Sequence, residues 1–233
     1  MTLIKFFNKV VFIKTFIMHN TVKNLIYIEE LIKSKLNRDK LPTIIAVSKT
    51  FPIENILPLL ERGHLHYGEN KVQEALDKWS NIKLKHNEVK LHLIGRLQTN
   101  KVKFALKIFD YIHSLDSEKL ANKISEEQKK HEIKPKLFIQ VNIGNEEQKS
   151  GINKEQLVDF YKFCKNLDLD IIGTMCIPPK DGNVKKYFSE MNKINQELNF
   201  KELSMGMSND YLEAIKDNAT YVRVGSKIFG NRT

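Results

Sequence analysis

Cysteine is scarce in this chain, which has only two, Cys164 and Cys176, in 233 residues. Neither belongs to a paired-cysteine motif or to a cluster with histidine, so the sequence supports neither a metal site nor a disulfide framework. Disulfides accumulate in secreted proteins, and two thiols in a chain of this size favour a reducing compartment. We therefore expect a cytoplasmic protein.

Arginine is also scarce: only five of the 38 basic residues are arginine, and the rest are lysine. The formal net charge of +10 would suit a partner of nucleic acid or of an anionic membrane. Nucleic-acid readers usually concentrate arginine and aromatic residues on one face, whereas these lysines are scattered among acidic residues. We expect no nucleic-acid partner.

Long apolar runs are missing as well, and none reaches the length of a membrane span. Residues 1–17 are apolar, but Lys5, Lys9 and Lys14 interrupt them. They also lack the small residues of a signal-peptide cleavage site and the arginines of a mitochondrial presequence. We expect no stable membrane insertion. Residues 1–17 are expected to be a poorly ordered extension, or a leader upstream of a start at Met18, with a weak anchor as the alternative.

Motifs of several enzyme classes are absent. The chain has no G-x-S-x-G nucleophile elbow, which a Ser/His/Asp hydrolase would need, and no G-x-G-x-x-G or P-loop for nucleotides. No linker rich in proline, glycine and serine divides the chain after the extension. Residues 18–233 are therefore expected to form one domain.

Short apolar runs alternate with amphipathic stretches along this domain. Helical spacing predicts helices from Asn20, with Asn20 or Thr21 as the cap, and over 70–79, 117–131, 154–166 and 184–198, with further helix starts at Ser117 and Asp210. Runs typical of buried strands cover 43–49, 64–68, 89–95, 111–116, 137–144, 170–178, 202–206 and 220–225. Parallel strands need crossovers of about this size. We predict an α/β fold, a single (β/α)8 TIM barrel with an extra N-terminal helix, and a doubly wound open sheet is the alternative.

Lys49 ends the first run, and Pro52 prevents that strand from continuing. The lysine therefore lies where a parallel strand leaves the core, on the face where α/β barrels build their sites. Partial burial lowers the pKa of an amine and makes it a nucleophile toward carbonyl groups. The alternative is an ordinary solvated lysine.

The loops after the last two runs predict an anion site. TIM barrels often bind phosphate there, using backbone N–H groups and hydroxyls. The segments SMGMS (204–208) and VGSKIFG (224–230) supply glycine and serine without an acidic side chain. The alternatives are ordinary turns, with the methionines as core residues.

Three histidines, His66, His92 and His113, alternate with apolar residues inside predicted strands. This pattern favours hydrogen-bonded core histidines over catalytic ones. Glu69 and Asp116 could form an acid–base pair, but no spacing singles them out.

Longer motifs resemble a known family. The segments AVSKTFP, HYGENKVQEA, LHLIGRLQTNK, IHSLDS, QVNIGNEEQKSGI, LSMGMSNDYLEAI and YVRVGSKIFG occur in this order from Ala46 to Gly230. Together they are similar to the pyridoxal phosphate homeostasis proteins. The resemblance extends from the first helix to the C-terminus and does not cover residues 1–17.

The resemblance implies a TIM barrel like the N-terminal domain of alanine racemase, with pyridoxal 5′-phosphate (PLP) held as a Schiff base on Lys49. Arg223 corresponds to the arginine that faces the pyridine nitrogen, and the alternative is an arginine that pairs with an acid at the rim. Gly225 and Ser226 correspond to the backbone phosphate cradle, and Ser204 to a hydroxyl ligand of the phosphate. Asn70, Met205 and Gly206 are expected beside the cofactor.

A permanently charged arginine keeps the pyridine nitrogen unprotonated, which weakens carbanion chemistry. Racemases on this barrel also use a tyrosine from a second domain, for which this chain has no residues. We expect a PLP-binding regulator of PLP, vitamin B6 and amino-acid homeostasis with little or no turnover. Its expected partners are PLP and PLP-dependent apo-enzymes that accept the cofactor, and the chain is expected to be a monomer. The alternative is a small PLP-dependent amino-acid racemase.

Overall fold

The computed structural model describes residues 18–36 and 40–231, in which strands and helices alternate. The strands are β1 (Thr43–Val47), β2 (His66–Glu69), β3 (Lys90–Leu93), β4 (Tyr111–Leu115), β5 (Lys136–Val141), β6 (Ile171–Cys176), β7 (Glu202–Met207) and β8 (Tyr221–Val224). The helices are α1 (Asn20–Lys35), α2 (Leu57–Glu61), α3 (Val72–Lys85), α4 (Val102–Leu106), α5 (Glu118–His131), α6 (Leu157–Asn166), α7 (Val184–Glu197), α8 (Tyr211–Lys216) and α9 (Ser226–Phe229).

The strands form a closed parallel barrel in chain order. β8 pairs with β1, with Tyr221 opposite Thr43 and Arg223 opposite Ile45. The predicted TIM barrel with an extra N-terminal helix, α1, is confirmed. The open-sheet alternative is wrong, because an open sheet would leave its two outer strands without partners along one edge.

Buried apolar side chains form two layers. Strand alternation sends one set into the barrel and the other outward against the helices. The interior set is Ile45, Tyr111, Phe138, Met175 and Tyr221. A larger layer fills the space between barrel and helices. Polar residues that share the inward positions therefore meet inside the barrel or at its C-terminal end, here called the mouth.

The helix starts agree with the sequence in part. Ser117 caps α5, where its hydroxyl accepts the Leu120 N–H. The cap predicted for α1 at Asn20 or Thr21 is wrong. His19 takes that place because its imidazole Nδ1 accepts the Thr21 N–H at 3.3 Å. An imidazole nitrogen thus accepts the backbone N–H in place of the expected side-chain oxygen.

The extension predicted over residues 1–17 lies outside the described residues. Within residues 18–36 and 40–231, no helix combines the length and apolar character needed to cross a membrane. α1 instead packs beside α9, where the Asn24 side chain donates to the Ile228 carbonyl oxygen at 2.9 Å. This contact ties the first helix to the short helix that follows β8.

Candidate functional site

Lys49 lies two residues beyond the end of β1 and is half-buried. The alternation that places Ile45 inside the barrel puts Lys49 on the same side, at the mouth. Ser48 is fully buried and turns the other way, toward β2. On the other side of the lysine, the Thr50 N–H donates to the Glu74 carboxylate. Lys49 is therefore held between two anchored neighbours.

A buried carboxylate organises the residues behind Lys49. Glu69 is fully buried, and its Oε1 accepts from the Ser48 hydroxyl at 2.7 Å, from Lys78 Nζ at 3.0 Å and from Trp79 Nε1 at 3.0 Å. Lys78 Nζ also donates to the Ser48 carbonyl oxygen at 2.9 Å. A buried charge pair with this many hydrogen bonds specifies geometry more than it adds stability. Its effect here is to fix the strand end that carries Lys49.

Arg223 is the second charged group of the site. It is buried on β8, and its Nη1 donates to Ser204 Oγ at 2.8 Å while its Nη2 donates to the Cys176 carbonyl oxygen at 2.9 Å. Burial lowers the pKa of Arg223, but a guanidinium stays charged at neutral pH. The rim ion pair considered as an alternative does not occur: within the described ranges, no carboxylate pairs with Arg223. Cys176 and the charge of Asp210 act against burial and raise the pKa of Arg223.

Ser204 lies beneath this guanidinium. Its side chain is fully buried, and its Oγ accepts from Arg223 and lies 2.9 Å from His113 Nδ1. The phosphate role implied for this serine by resemblance stays a prediction. The observed partners indicate a different role, which is to support Arg223. Both strong hydrogen bonds of the hydroxyl are made inside the barrel.

Met205 and Gly206 face away from the barrel interior. Met205 is fully buried in the layer between barrel and helices. Gly206 has a φ of +87°, and a Cβ there would lie 2.6 Å from the Ala214 Cβ and 2.9 Å from the Tyr211 Cα. The glycine is thus required by close packing of β7 against α8. Strand β7 shifts register against β8 between Ser204 and Met207, which accounts for the change of direction.

Gly225 and Ser226 form the turn between β8 and α9. A Cβ on Gly225 would lie 3.3 Å from the Val47 Cβ and 3.4 Å from its carbonyl oxygen, so this turn approaches the end of β1 closely. The Gly225 N–H donates to Ser208 Oγ at 3.1 Å. Ser226 is exposed as the first residue of α9. The loops after β7 and β8 therefore meet through the hydroxyl of Ser208, the last residue of the SMGMS segment.

Asn70 follows β2 directly and is half-buried. Its Oδ1 is a buried atom without a hydrogen-bond partner in the structure. Leaving a buried polar atom unpaired costs ~1–3 kcal/mol, and binding sites commonly carry such atoms for a ligand to satisfy. Asn70 therefore presents an unpaired acceptor at the strand end next to that of Lys49.

Two of the three predicted core histidines, His92 and His113, are confirmed as buried, hydrogen-bonded residues, whereas His66 is only partly buried; the three rings are hydrogen-bonded to one another. His66 Nδ1 lies 2.9 Å from His92 Nε2, and His92 Nδ1 lies 2.9 Å from His113 Nε2. Burial lowers the pKa of His92 and of His113 well below the usual 6.5, and Arg223 lowers that of His113 further. Both are neutral at physiological pH. Pairing between strands brings these three histidines together, and no local sequence pattern reveals their hydrogen bonds.

The acid–base pair considered for Glu69 and Asp116 finds no support in this arrangement. Glu69 is committed to Ser48, Lys78 and Trp79 on the outer face. Asp116 lies on another strand end, where burial raises its pKa and the nearby Arg96 charge opposes that rise. Within residues 18–36 and 40–231, no cluster of histidine, cysteine or carboxylate groups could hold a metal ion.

The mouth thus combines an amine, a buried cation, hydroxyls and a close backbone turn. The family model for the N-terminal domain of alanine racemase matches residues 30–233. A pyridoxal phosphate homeostasis protein of Aquifex aeolicus is 39% identical over 199 residues, which are 81% of this chain and 86% of that protein. The protein of this name from Escherichia coli is 33% identical and covers 82% of this chain and 86% of its own length.

Solved structures agree with these relatives. PipY of Synechococcus elongatus, solved with PLP bound, superposes with a TM-score of 0.81 at 30% identity, covering 90% of this chain and all of that one. Alanine racemase of Clostridium difficile superposes with a TM-score of 0.67 at 18% identity over 91% of this chain and 57% of that one, and shows the shared barrel fold alone. By sequence and by fold, this chain belongs to the family of the pyridoxal phosphate homeostasis proteins.

Proposed function

We propose that this chain binds PLP at the barrel mouth, as a Schiff base on Lys49, and takes part in intracellular PLP and amino-acid homeostasis. Its curated relatives carry that name, and PipY was solved with PLP bound. The observation that carries the proposal is that a strand-end lysine and a buried guanidinium both occur at the mouth. The guanidinium has no carboxylate partner among the described residues. The unpaired Asn70 Oδ1 and the narrow turn at Gly225 fit a ligand that fills the mouth.

Each group has a distinct task in this proposal. The Lys49 amine would condense with the aldehyde of PLP, with release of water, while the buried Glu69 network holds its strand end in place. Arg223 faces the ring nitrogen as a fixed cation and keeps it unprotonated. The phosphate lies at the meeting of the two last loops, against the backbone of Gly225 and Ser226 and the hydroxyl of Ser208.

The same groups favour a protein that stores PLP over one that uses PLP for catalysis. A ring whose nitrogen faces a cation is a weak electron sink, and PLP enzymes rely on that sink to stabilise carbanions. Arg223 is held by a hydroxyl and a carbonyl oxygen, and among the described residues no carboxylate forms an ion pair that would neutralise its charge. The chain holds the cofactor as a cytoplasmic monomer and hands it to PLP-dependent apo-enzymes.

The experiment that separates store from racemase uses the PLP-loaded protein and single-enantiomer amino acids. We expect a visible absorption band that borohydride removes, and no accumulation of the opposite enantiomer by chiral chromatography. Sustained racemisation at rates typical of enzymes, ~1–10³ s⁻¹, would contradict the proposal. Transfer is measured by mixing the loaded protein with a PLP-free apo-enzyme and following the recovery of that enzyme's activity.

Gly225→Val is expected to weaken PLP retention. Even a Cβ at this position lies within 3.4 Å of Val47, so a branched side chain must displace the turn that approaches the phosphate. Dialysis of the loaded variant should release PLP several-fold faster than dialysis of the unaltered protein. Pyridoxal, which lacks the phosphate, serves as the control ligand, and its affinity should change little. An equal loss for both ligands would show that Gly225 does not face the phosphate.

A pair of serine substitutions separates phosphate contact from arginine support. Ser208→Ala removes a hydroxyl at the meeting of the last two loops and should weaken PLP binding by ~1.5–3 kcal/mol while sparing pyridoxal. Ser204→Ala removes the oxygen beneath Arg223 and should affect the two ligands equally. Equilibrium titration of both variants with PLP and with pyridoxal shows which serine contacts the phosphate. Selective loss of PLP in Ser204→Ala would restore the phosphate role predicted for that residue.

A further inference from the structure

A continuous line of side chains crosses the barrel interior from one end toward the other. It begins at His66, the first residue of β2, and passes through His92 and His113 to Ser204 and Arg223. The two histidine–histidine links and the His113–Ser204 link each measure 2.9 Å, and the Arg223–Ser204 link measures 2.8 Å. Each ring nitrogen of His92 and His113 takes part in this line.

Neutral imidazole has one donor nitrogen and one acceptor nitrogen, so the links cannot be set independently. In one orientation, Ser204 donates to His113, each ring donates through Nε2 to the next, and His66 Nε2–H points out of the line. In the other, each ring donates through Nδ1, and Ser204 Oγ accepts from His113 as well as from Arg223. The hydroxyl hydrogen of Ser204 is then free to point elsewhere. The position of the hydrogen on His66 therefore determines whether the Ser204 hydroxyl donates to His113 or accepts from it.

His66 is the ring of this line that solvent can reach, because it is half-exposed while His92 and His113 are fully buried. It lines a cavity of about 420 Å³ at the N-terminal end of the barrel, between α1 and the starts of β1 and β2. Its Nδ1 bonds His92, which leaves Nε2 as the nitrogen outside the line. The charged and titratable groups around it are Glu29, Glu30 and Lys33 of α1, His64 before β2, Lys90 and Tyr111 of β3 and β4, Asp110 and Tyr221.

We propose that His66, His92, His113 and Ser204 form a hydrogen-bond relay through the barrel, by which protonation at the N-terminal cavity changes the hydrogen bonding of Arg223 at the mouth. The histidines are positioning residues in this proposal, since none of them has to touch a ligand. Its effect on bound PLP rests on the function proposed above. The relay itself belongs to the chain without any ligand.

Protonation of His66 selects one of the two orientations. A protonated ring carries hydrogen on both nitrogens, so Nδ1 must donate to His92, and the remaining links follow in the same sense. If the line starts in the other orientation, one hydrogen shifts along each link toward His66, and Ser204 is reprotonated by a hydronium ion from solvent at the mouth, which is left as water. His66 thereby gains one proton, and no charge remains on the buried rings. Burial and the Lys90 charge lower the pKa of His66 below 6.5, while Asp110 opposes them, so the change occurs on the acidic side of neutrality.

The relay is tested by nuclear magnetic resonance on the ligand-free, full-length protein, with the histidine and arginine nitrogens labelled. We expect His92 and His113 to show the same tautomer, and the side-chain N–H signals of Arg223 to shift with pH at the midpoint at which His66 titrates. Opposite tautomers, or Arg223 signals that ignore pH, would overturn the proposal.

His66→Gln supplies the variant, because an amide can still bond His92 but cannot take a proton. In this variant the pH-dependent shift of Arg223 should disappear. His131→Gln is the matched control: it removes a half-buried histidine on α5 that pairs with Glu127, outside the barrel, and should leave the shift in place. Persistence of the shift in His66→Gln would reject the relay.

A second readout uses the PLP-loaded protein. Its visible spectrum should change at the His66 midpoint in the unaltered chain and in His131→Gln, but not in His66→Gln. If the chain takes up no PLP, the proposed function fails, and the ligand-free measurement still decides on the relay. If PLP binds and its visible spectrum does not change at the His66 midpoint, while the Arg223 N–H signals do shift there, the relay is supported but its link to the cofactor is wrong.

Discussion

Lys49→Ala is expected to abolish covalent attachment of PLP. An imine needs an amine, and the lysine that the strand end presents at the mouth is the one removed. The variant should lose the visible absorption of the loaded protein. After borohydride treatment, the peptide that contains residue 49 should gain no pyridoxyl mass. Phosphate and ring contacts remain, so weak, reversible binding of PLP should persist.

The fold should survive this substitution. Lys49 is half-buried beyond the end of β1, and hydrogen bonds of Ser48, Thr50 and Glu69 that do not involve the lysine side chain also hold this strand end. Circular dichroism and thermal unfolding should match the unaltered protein closely. Lys71→Ala is the matched control, since Lys71 is exposed and follows Asn70 close to the same mouth. Pyridoxyl mass on a different lysine of the unaltered protein would refute the assignment of Lys49.

The barrel was readable from the sequence because its strands are short, apolar runs separated by amphipathic stretches. β1 is an example: five residues of Thr, Ile, Ala and Val begin where predicted and end before Pro52. Helices α2 and α4 were not predicted, because each spans five residues, too few to show a 3.6-residue repeat. β2 extends to Glu69, beyond the predicted end, because long-range partners satisfy an acidic residue that sequence reasoning places outside a strand.

The candidate site was readable only where its residues follow strand ends. Lys49, Asn70, Gly225 and Ser226 all occupy such positions in the structure. Met205 faces outward by ordinary alternation next to the inward Ser204, whereas the register shift in β7 turns Gly206 outward as well, and a single sequence carries no signal for that shift. The partners of Ser204 are just as hidden, since His113 lies 91 residues away along the chain and Arg223 lies 19 away. Pairings between distant strands decide these contacts, so they emerge only once the barrel closes.

Arg223→Glu is expected to change the chemistry of the bound cofactor. In the proposed complex the guanidinium faces the ring nitrogen and keeps it unprotonated, whereas a carboxylate in its place would stabilise the protonated ring. The visible spectrum of the loaded variant should shift, and the variant should react slowly with amino acids that leave the native protein unchanged. Those products are measured by chromatography after incubation with a single enantiomer.

Loss of the arginine also has a structural cost. Its two hydrogen bonds reach the Ser204 hydroxyl and the Cys176 carbonyl oxygen, and a carboxylate cannot donate to either. The carbonyl loses a buried donor, which lowers the free energy of unfolding by ~1–3 kcal/mol. Arg223→Gln is the matched control, because glutamine has nearly the size of glutamate, can donate to the carbonyl and carries no charge.

Comparison of the two variants isolates the effect of charge on the ring. If the ring nitrogen faces residue 223, the glutamine variant should lose the native spectrum without gaining reactivity, because it neither repels nor stabilises a proton there. The glutamate variant should show the features of a protonated ring over a wider range of pH. A folded, PLP-loaded Arg223→Glu protein with the native spectrum would place the arginine away from the ring nitrogen. The low reactivity proposed for the PLP-loaded protein would then need another cause.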